Sequence, residues 1–515
     1  MEYINGDKGI IKNDISEKIH VEIEHVKHGT TDGSLLGNGK ESVTYKHKLF
    51  HTACVFFSMF ALGWRNALIG PTLPDLRLLM NVDLSTASWI FTTKSLGGLL
   101  GSLCGGLGYD RFNKIGVFVT IVSSMGVVTA VTPWCTYLPA MLVVHALHGV
   151  FNGALDTAAT ADMAVIWKQN AGPFMQAVHF SFSVGAIISP LIAESFLAET
   201  MLTDAGSSKE YLNYSNTTSS YLNTSALIYD FGNVTQQTVM NNSFSKYGKS
   251  RIYVPYSITA SVLLVSASLF LIVCFFYGNV YKPSNTIFSE CTTGSSESKK
   301  RYFLTKKLKI TFTILIALSL LFYVVSEHCF VGFLMTFLIS ELKWSKAKGS
   351  TASSAFWIAF AIGRLSGIIM TKFVKNSTMI IMFFSFLTCG GVFFLLAVIW
   401  AINSLVWISV VVIGFGMSAI FGLVISWQSK NIRTLTGKMT SIFFIFMSTG
   451  NMVVPILVGY LMDKFSQMYF AYTNIVLSVF MFLTFIIVLS SFNLLKKADE
   501  NSKKKAEALK MNIQK

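Results

Sequence analysis

Four polar side chains recur along one apolar stretch, residues 138–161, at the spacing of a single helix face. They are His145, His148, Asn152 and Asp156. At about 100° per residue these positions fall within a stripe roughly 80° wide. A charge at the centre of a membrane helix costs roughly 2.5–3.5 kcal/mol on insertion scales, so such residues face a cavity or a partner. Two interpretations follow. The stripe lines a wet pathway where a carboxylate holds a cation, or it hydrogen-bonds neighbouring helices.

Other apolar stretches carry a second set of polar groups. Gln176 and His179 lie on one face of a helix and offer donors and acceptors suited to hydroxyl-rich solutes. Glu327 lies deep in another apolar run, which makes it a second candidate for binding a cation. The alternative for Glu327 is an ion pair with Arg65 or Lys94, because burying either cation without a partner is costly.

Membrane helices must position these residues. The chain has 515 residues, of which 52% are hydrophobic and only 13% are charged, whereas soluble chains average roughly 25% charged residues. Runs of about 20 apolar residues recur along nearly the whole length. Most runs are apolar on all sides, which argues against a large soluble helical protein. The sequence therefore predicts an all-α membrane protein.

Twelve transmembrane helices are predicted, in two six-helix halves separated by the basic cytoplasmic loop 278–307. The first half covers 49–277 and the second covers 308–492. A cytoplasmic tail, 1–48, precedes them, and a basic cytoplasmic tail, 493–515, follows. The seventh run is long enough for a tilted or broken helix. The predicted spans are 49–71, 86–107, 115–134, 138–161, 175–198, 253–277, 308–338, 350–372, 378–400, 404–427, 438–461 and 468–492.

The distribution of lysine and arginine places both termini in the cytoplasm, by the positive-inside rule. The connection between the fifth and sixth helices, 199–252, is then extracellular, and it holds five N-x-S/T sequons, which require such a location. Asp75 and Asp83 flank the first outer loop, where solvation would account for both. The protein is accordingly predicted to be a multi-pass protein of the plasma membrane. The predicted glycosylation sites are Asn213, Asn216, Asn223, Asn233 and Asn241.

The connection between the second and third helices reads GGLGYDRFNK. Its pattern of Gly, three residues, Asp-Arg and then a basic residue, within a six-plus-six layout, resembles the major facilitator superfamily. The resemblance implies that this loop holds the cytoplasmic helix ends in one arrangement, which breaks and re-forms during alternating access. Arg364, in a degenerate copy of the motif, is assigned to the same conformational lock. The motif residues are Gly106, Asp110, Arg111 and Lys114.

Further stretches narrow the resemblance, which covers most of residues 50–490. GALDTAA at 153–159 resembles the fourth-helix signature of the fucose permease branch, where a carboxylate precedes Thr-Ala-Ala. GPFMQAVHFSFSVGAIISPLIA at 172–193 resembles the fifth helix of the animal sodium-dependent glucose transporter 1 family. The stretches at 353–364 and 437–459 resemble the same family.

Two departures from these families concern acidic residues. The fucose permease branch has an acid in helix 1, where this chain reads GWRNALIGP with Arg65 and Asn66. The glucose transporter relatives tend to carry a carboxylate where this chain has Asn451, which is assigned here to the substrate site. Ion coupling that depended on either acid would be altered or absent in this protein.

The residues alone support a carrier of a small polar solute. The resemblance implies a hexose, D-glucose in particular, and coupling to sodium, with Asp156 and Glu327 as the ion-coupling residues. The rings of Trp64, Phe180 and Trp357 are candidates for stacking on a sugar, or are core residues. Two alternatives stay open: a uniporter or proton-coupled carrier of urea, a polyol, another sugar or a lipid, and a non-transporting receptor or scaffold. The candidate substrate-binding residues are His145, His148, Asn152, Gln176, His179 and Asn451.

Enzymatic chemistry is not predicted. The sequence lacks the phosphate-binding pattern Gly-x-x-x-x-Gly-Lys-Ser/Thr, and its His and Cys spacings do not suit a metal site. Nothing pairs a nucleophile with a base. The net charge of +15 does not indicate nucleic acid in a membrane protein. The predicted partners are the sugar, sodium or a proton, and the lipid bilayer. The protein is predicted to be a monomer that needs no cofactor other than sodium as a co-substrate.

Overall fold

The computed structural model describes most of the chain: residues 37–167, 171–198, 250–277, 305–371, 373–432 and 437–513. Nearly every described residue is helical, so the predicted all-α class is confirmed. The N-terminal tail up to residue 36 and the central loop up to residue 304 lie outside this part. The predicted glycosylation sites also lie outside it: Asn213, Asn216, Asn223, Asn233 and Asn241.

Twelve long helices, α1 to α12, follow one another in the described residues. Eleven of them are long and apolar enough to cross a membrane, and the exception is the glycine-rich α2, which contains Lys94. The helices are α1 Gly37–Met80, α2 Trp89–Arg111, α3 Lys114–Val131, α4 Leu138–Trp167, α5 Ala171–Glu194, α6 Tyr253–Tyr277, α7 Lys306–Ser340, α8 Lys346–Met370, α9 Asn376–Ile399, α10 Asn403–Asn431, α11 Gly437–Lys464 and α12 Tyr469–Ile513.

Helix ends differ most from prediction where the chain leaves the apolar region. α1 begins well before residue 49, and α12 continues to Ile513 through most of the predicted tail. That tail is rich in Lys, Ala and Glu, which are strong helix formers, so loss of hydrophobicity does not end the helix. α7 is continuous, whereas α10 breaks at Ser418 and Ala419, where the Ser418 hydroxyl donates to the Phe415 carbonyl at 2.7 Å.

The chain divides into two compact units, residues 1–53 and 54–515. The described residues of the first unit are helical and belong to the start of α1, where Thr52 Oγ1 donates to the Lys48 carbonyl at 2.8 Å. The second unit contains the rest of α1 and all the other helices, and the candidate site lies entirely within it.

Inside the first half, α2 and α4 approach to backbone contact. A Cβ atom added at Gly97 would lie 2.0 Å from the Ala146 carbonyl oxygen, and one added at Gly101 would lie 1.9 Å from the Val150 oxygen. Only glycine fits at these positions, which form the small-residue ridge typical of close membrane helix pairs. The ridge fixes the rotation of α4, and therefore the direction of its polar stripe.

The two halves meet through α2 against α11 and through α5 against α8. These pairs are equivalent if each helix of the first half corresponds to the helix six places later, as in repeat-built transporters. The backbone supports this correspondence, because Asn81 after α1 and Lys343 after α7 both adopt left-handed φ values, of 53° and 54°. We call the end of the bundle that carries the connections 81–83 and 341–345 the first-loop side.

Candidate functional site

The two predicted ion-coupling acids lie near one shared cation. Asp156 of α4, in the first half, is half-buried and interacts electrostatically with Arg364 of α8, in the second half. Glu327 of α7 interacts with the same guanidinium. Arg364 therefore takes the place that the sequence analysis gave to Arg65 or Lys94 as the alternative partner of Glu327.

Arg364 also joins the two halves by hydrogen bonds. Its Nη1 donates to the His179 carbonyl at 2.5 Å and to Ser183 Oγ at 3.2 Å, both on α5. Its Nε donates to the Ser418 carbonyl at 3.4 Å, at the break in α10. Arg364 was predicted to belong to the conformational lock, but its side chain lies here, beside the predicted acids. A helical side chain leans toward the N-terminus of its helix, so a residue in the last third of α8 reaches the middle of α5.

The polar stripe of α4 divides between different neighbours. His145 and His148 are fully buried, and His145 Nδ1 lies 2.9 Å from the Met141 carbonyl oxygen. Asn152 accepts a hydrogen bond of 2.7 Å from Asn66 Nδ2 on α1. The remaining ring nitrogens of both histidines have no hydrogen-bond partner in the described residues. Asn152 thus fits the helix-to-helix interpretation, whereas the histidines have unused hydrogen-bonding capacity.

The predicted substrate-binding residues of α5 face the second half. The Gln176 side chain is exposed and lies beside Gly422 of α10. His179 is half-buried, and its ring interacts electrostatically with Arg364. Ser183 Oγ donates to the His179 carbonyl at 3.1 Å. Gln176, His179 and Ser183 share one polar face of α5, and Arg364 donates to it at the His179 carbonyl and at Ser183.

Two of the three predicted aromatic stacking residues are covered by protein. Trp64 packs edge-on against Phe60, with ring centroids 5.8 Å apart, and Trp357 packs against Phe182 at 6.0 Å. Both tryptophans are buried, which fits the core interpretation in this conformation. Phe180 is half-buried.

Asn451 lies at the contact between α2 and α11. Its Nδ2 is 3.5 Å from His328 Nδ1, and its backbone carbonyl accepts from Ser95 Oγ at 3.4 Å. The adjacent Met452 carbonyl accepts from Thr92 Oγ1. Asn451 is therefore placed where α7 and α11 of the second half meet α2 of the first half.

Arg65 and Lys94, which were considered above as ion-pair partners of Glu327, interact with each other and form a second charged site. Arg65 is fully buried; its Nε donates to Thr129 Oγ1 at 3.2 Å, and its guanidinium lies 5.4 Å from the Tyr256 ring centroid. Lys94 is half-buried and interacts electrostatically with Arg65. The signal that would have found this centre is the presence of cations on α1 and α2 at the depth of the α4 histidines.

The predicted lock residues lie at the end of α2 and the start of α3. The Lys114 side chain is buried, with Nζ 4.8 Å from the Tyr109 ring centroid, and it interacts electrostatically with Asp162 and Asp110. Tyr109 donates to Asp162 at 2.6 Å. Tyr109 and Asp162 were missed by the sequence analysis, although Tyr109 directly precedes the motif acid. The predicted lock residues of this loop are Gly106, Asp110, Arg111 and Lys114.

The expectation that solvation accounts for Asp75 is wrong. Asp75 is fully buried and accepts from the Ala198 backbone N–H at 2.8 Å and from Ser250 Oγ at 2.5 Å. Lys346, at the start of α8, donates to its other oxygen at 2.5 Å. Residues that follow α5 and precede α6 cover the carboxylate, an arrangement that the local sequence around Asp75 does not reveal. The two halves are therefore joined by a buried ion pair on the first-loop side.

Comparisons with known proteins agree with this architecture. Residues 55–201 match the sequence profile of the Major Facilitator Superfamily. The sodium-dependent glucose transporter 1A of Mus musculus is 27% identical over 420 residues, which cover 80% of this chain and 90% of that relative. The sodium-dependent glucose transporter 1 of Homo sapiens is 28% identical over 417 residues, covering 80% of this chain and 73% of the relative.

A solved structure shows the same fold. The crystal structure of FucP, a Major Facilitator Superfamily transporter in the outward conformation, matches with a TM-score of 0.52 at 14% sequence identity, over 85% of this chain and 98% of that chain. The fold and the relatives are those of transporters rather than enzymes. The chain is therefore a multi-pass membrane protein with the major facilitator fold, and its predicted similarity to the sodium-dependent glucose transporter 1 family is confirmed.

Proposed function

We propose that this protein is a secondary active transporter that moves a hexose, D-glucose, across the plasma membrane by alternating access coupled to sodium. The observation that carries the proposal is the interaction of Arg364, in the second half, with Asp156 in the first half and with Glu327. An intramembrane acid that interacts with a cation across the repeat interface, as Asp156 does with Arg364, is typical of ion-coupled carriers. The solute and the ion come from the names of the relatives, which are sodium-dependent glucose transporters.

In this proposal the first-loop side is extracellular and both termini are cytoplasmic. The sequons between α5 and α6 and the Lys/Arg-rich connections at the other end support this orientation. The ion pair between Asp75 and Lys346 and the contact of Thr92 with Met452 join the halves toward the first-loop side. The conformation described here is then closed toward the outside, and opening requires these contacts to separate.

Arg364 gives a physical route for coupling. When the halves separate on the first-loop side, the hydrogen bonds from Arg364 to His179 and Ser183 break, and its interaction with Asp156 weakens. An intramembrane carboxylate without a counter-charge is unfavourable, so Asp156 then binds sodium. If the halves close while sodium is bound, Arg364 must remain apart from Asp156. The sugar stabilises this separation by occupying the polar face of α5.

The hydroxyl groups of the sugar fit the polar side chains along α5 and α4. Gln176 is exposed, and His179 presents its ring beside Arg364. Asn152 accepts a hydrogen bond from Asn66, which fixes the position of its amide. The buried Trp64 and Trp357 contribute stacking faces only if opening of the halves uncovers them.

The experiment is uptake of radiolabelled D-glucose by proteoliposomes under an imposed sodium or proton gradient. Wild-type protein is expected to accumulate glucose when sodium is higher outside. Asp156→Asn should abolish gradient-driven accumulation and preserve glucose exchange without a gradient. Glu341→Gln, an exposed acid after α7, is the matched control and should accumulate glucose like the wild type.

Unchanged sodium-driven accumulation in Asp156→Asn would overturn the coupling assignment. Equal uptake with and without either gradient would indicate a uniporter, and accumulation driven only by protons would replace sodium. Failure to move glucose in any condition leads to a panel of urea, polyols, other sugars and lipids. Absence of flux for the whole panel would favour a receptor or scaffold.

A further inference from the structure

Basic side chains on three helices of the first half are gathered in one place. Lys94 interacts electrostatically with Arg65, and His148 interacts with both cations. Positive groups at close range repel one another, and apolar surroundings strengthen the repulsion. The arrangement is unfavourable unless something of opposite charge compensates it. The residues of this basic cluster are Arg65 on α1, Lys94 on α2, and His145 and His148 on α4.

The cluster contains buried polar atoms without hydrogen-bond partners, among them the two donor groups at the tip of Arg65. Arg65 is 0% exposed, and neither its Nη1 nor its Nη2 has a hydrogen-bond partner in the described part of the chain. Both ring nitrogens of His148 also lack a hydrogen-bond partner, as does His145 Nε2, which is an acceptor because His145 Nδ1 donates to the Met141 carbonyl. Buried polar groups in native proteins are nearly always paired, so this concentration of exceptions at one point needs a cause. The two Nη groups of an arginine are the atoms that hold a carboxylate by two parallel hydrogen bonds.

The part of the chain that the structure describes does not supply the missing negative charge. Among the described residues, neither Arg65 nor Lys94 forms an ion pair. The acids of the central region, Asp156 and Glu327, interact with Arg364 instead. The polar groups that face Arg65 are the Thr129 hydroxyl and the Tyr256 ring, neither of which is an anion.

We propose that Arg65, Lys94 and His148 form a binding site for a small monovalent anion. Arg65 would hold the anion with its two free Nη groups, Lys94 would supply the second charge, and His148 would donate one further hydrogen bond. Two sources share this chemistry: a halide ion, or the carboxylate group of an organic solute. The proposal goes beyond the hexose transport proposed above and does not require the solute to be a sugar.

The second half closes over the cluster. Lys94 interacts electrostatically with His328 of α7, and its neighbour Ser95 bonds to the Asn451 carbonyl of α11. The anion would therefore enter when the halves separate and be enclosed when they meet. The anion would compensate one of the two positive charges and weaken the repulsion between Arg65 and Lys94. It would therefore favour the conformation described here, in which Arg65 is fully buried.

The test is the thermal stability of purified full-length protein in nanodiscs, at constant ionic strength in a bulky sulfonate buffer. Chloride, lactate and D-glucose are titrated separately, and midpoint against concentration gives an apparent Kd. Wild-type protein should be stabilised saturably by chloride or lactate. Lys94→Met should weaken the apparent Kd about tenfold, a loss of about 1.4 kcal/mol, and Arg65→Gln should abolish the response. Lys430→Met, an exposed cation of α10, is the matched control and should respond like the wild type.

A wild-type midpoint that depends on neither chloride nor lactate overturns the proposal. An equal response in wild type and Lys94→Met also overturns it, and this comparison is decisive if Arg65→Gln does not fold. A response to chloride alone assigns a halide, and a response to lactate alone assigns a carboxylate-bearing solute. This test measures stability and not flux. A negative result therefore leaves the proposal of glucose transport standing, and a negative transport result leaves the proposed anion site standing.

Discussion

Two buried charged side chains of α1, Asp75 and Arg65, differ in how far their charges are compensated by neighbouring groups. Asp75 and Arg65 are ten residues apart on α1, about 15 Å at the rise of an α-helix. The Asp75 carboxylate accepts from the Ala198 N–H, from Ser250 and from Lys346. The Arg65 guanidinium, with both Nη groups unpaired and no ion pair in the described residues, has no such compensation.

We interpret Asp75 as a charge that stabilises one arrangement of the helices and Arg65 as a charge that binds a ligand. A buried ion pair whose remaining lone pairs are also satisfied fixes one arrangement of the elements that supply its donors. At Asp75 those elements are the end of α5, the start of α6 and the start of α8, so the carboxylate fastens the first-loop side shut. A buried cation whose partners are missing is prepared for a group that arrives from outside the chain. Substitutions at the two centres should therefore have opposite effects.

The largest effect is expected from Asp75→Asn. The substitution leaves Lys346, whose side chain is 9% exposed, without its counter-charge. Removing one partner of a buried ion pair costs about 3–5 kcal/mol. The free energy of unfolding, measured by reversible denaturation in mixed micelles, should fall by this amount. The exposed-acid variant Glu341→Gln should change it by no more than about 0.5 kcal/mol.

A double-mutant cycle identifies the cause of that loss. If the unpaired lysine is responsible, Asp75→Asn combined with Lys346→Met should recover part of the stability, with a coupling energy of about 1–3 kcal/mol. Additive losses would instead mean that the hydrogen bonds from Ala198 and Ser250 are what matters at Asp75.

These two centres also show what the sequence can and cannot predict. Hydropathy predicts the helices, and the period of 3.6 residues predicts that His148 and Asp156 share a face of α4. Periodicity does not say which neighbour that face meets, so Arg364 was placed with the loop lock rather than beside Asp156. Asp75 was misjudged for a related reason. The groups that bury it come from Ala198 and Ser250, more than a hundred residues away in the chain.

The predicted helix ends were wrong where helix propensity or local hydrogen bonding, rather than hydropathy, determines where a helix ends. The lysine- and alanine-rich segment after residue 492 continues α12 because helix propensity does not depend on a bilayer. The break in α10 at Ser418 and Ala419 lies inside a predicted membrane-spanning run, so hydropathy alone did not reveal it. Hydroxyl back-bonding by Ser418 and the contacts of Gly414 and Gly416 with neighbouring helices favour the break.

The opposite sign is expected from Lys94→Met. In the sulfonate buffer without chloride or lactate, this substitution removes a positive charge that repels Arg65, and methionine keeps much of the side-chain volume. Replacing poorly compensated buried charge by apolar groups is often stabilising, here by about 1 kcal/mol because Lys94 is half-exposed. The same denaturation measurement checks it. A loss as large as that of Asp75→Asn would show that Lys94 has a compensating partner and that the contrast between the centres is false.

A smaller effect should follow from Asn451→Asp, which brings a built-in negative charge toward the basic cluster. The Asn451 side chain lies beside His328, and Lys94 interacts electrostatically with His328. In the sulfonate buffer we expect a gain of no more than about 0.5–1 kcal/mol, because the Asn451 site is 7% exposed and the cost of burying a carboxylate offsets part of its attraction to the cations. The stabilisation by chloride or lactate should shrink, because the new carboxylate competes with the anion. A full anion response in the variant would place the bound anion away from α11.

The smallest effect is expected at Asp83, the exposed counterpart of Asp75. Asp83 and Lys464 also join the halves, at 3.4 Å, but their side chains are 40% and 50% exposed, against 0% and 9% for Asp75 and Lys346. Hydrogen bonding by Thr86, and then the Lys464 ammonium, holds the pKa of Asp83 below its usual value. Asp83→Asn should therefore lower the free energy of unfolding by less than about 1 kcal/mol at neutral pH, since asparagine can still accept the hydrogen bond from the Thr86 backbone N–H at the start of the short helix Leu84–Ala87.

The pH dependence tests the sign of that effect. Because folding lowers the pKa of Asp83, its contribution is fully present above the pKa of the unfolded carboxyl, about 3.9, and is lost as the pH falls through the folded value. The stability difference between wild type and Asp83→Asn should therefore be constant from neutral pH down to about 5 and shrink below about 4. A difference that persisted at lower pH would mean that hydrogen bonding to Thr86, rather than charge, is what asparagine fails to replace. A difference as large as that of Asp75→Asn would show that burial does not distinguish the two ion pairs between the halves.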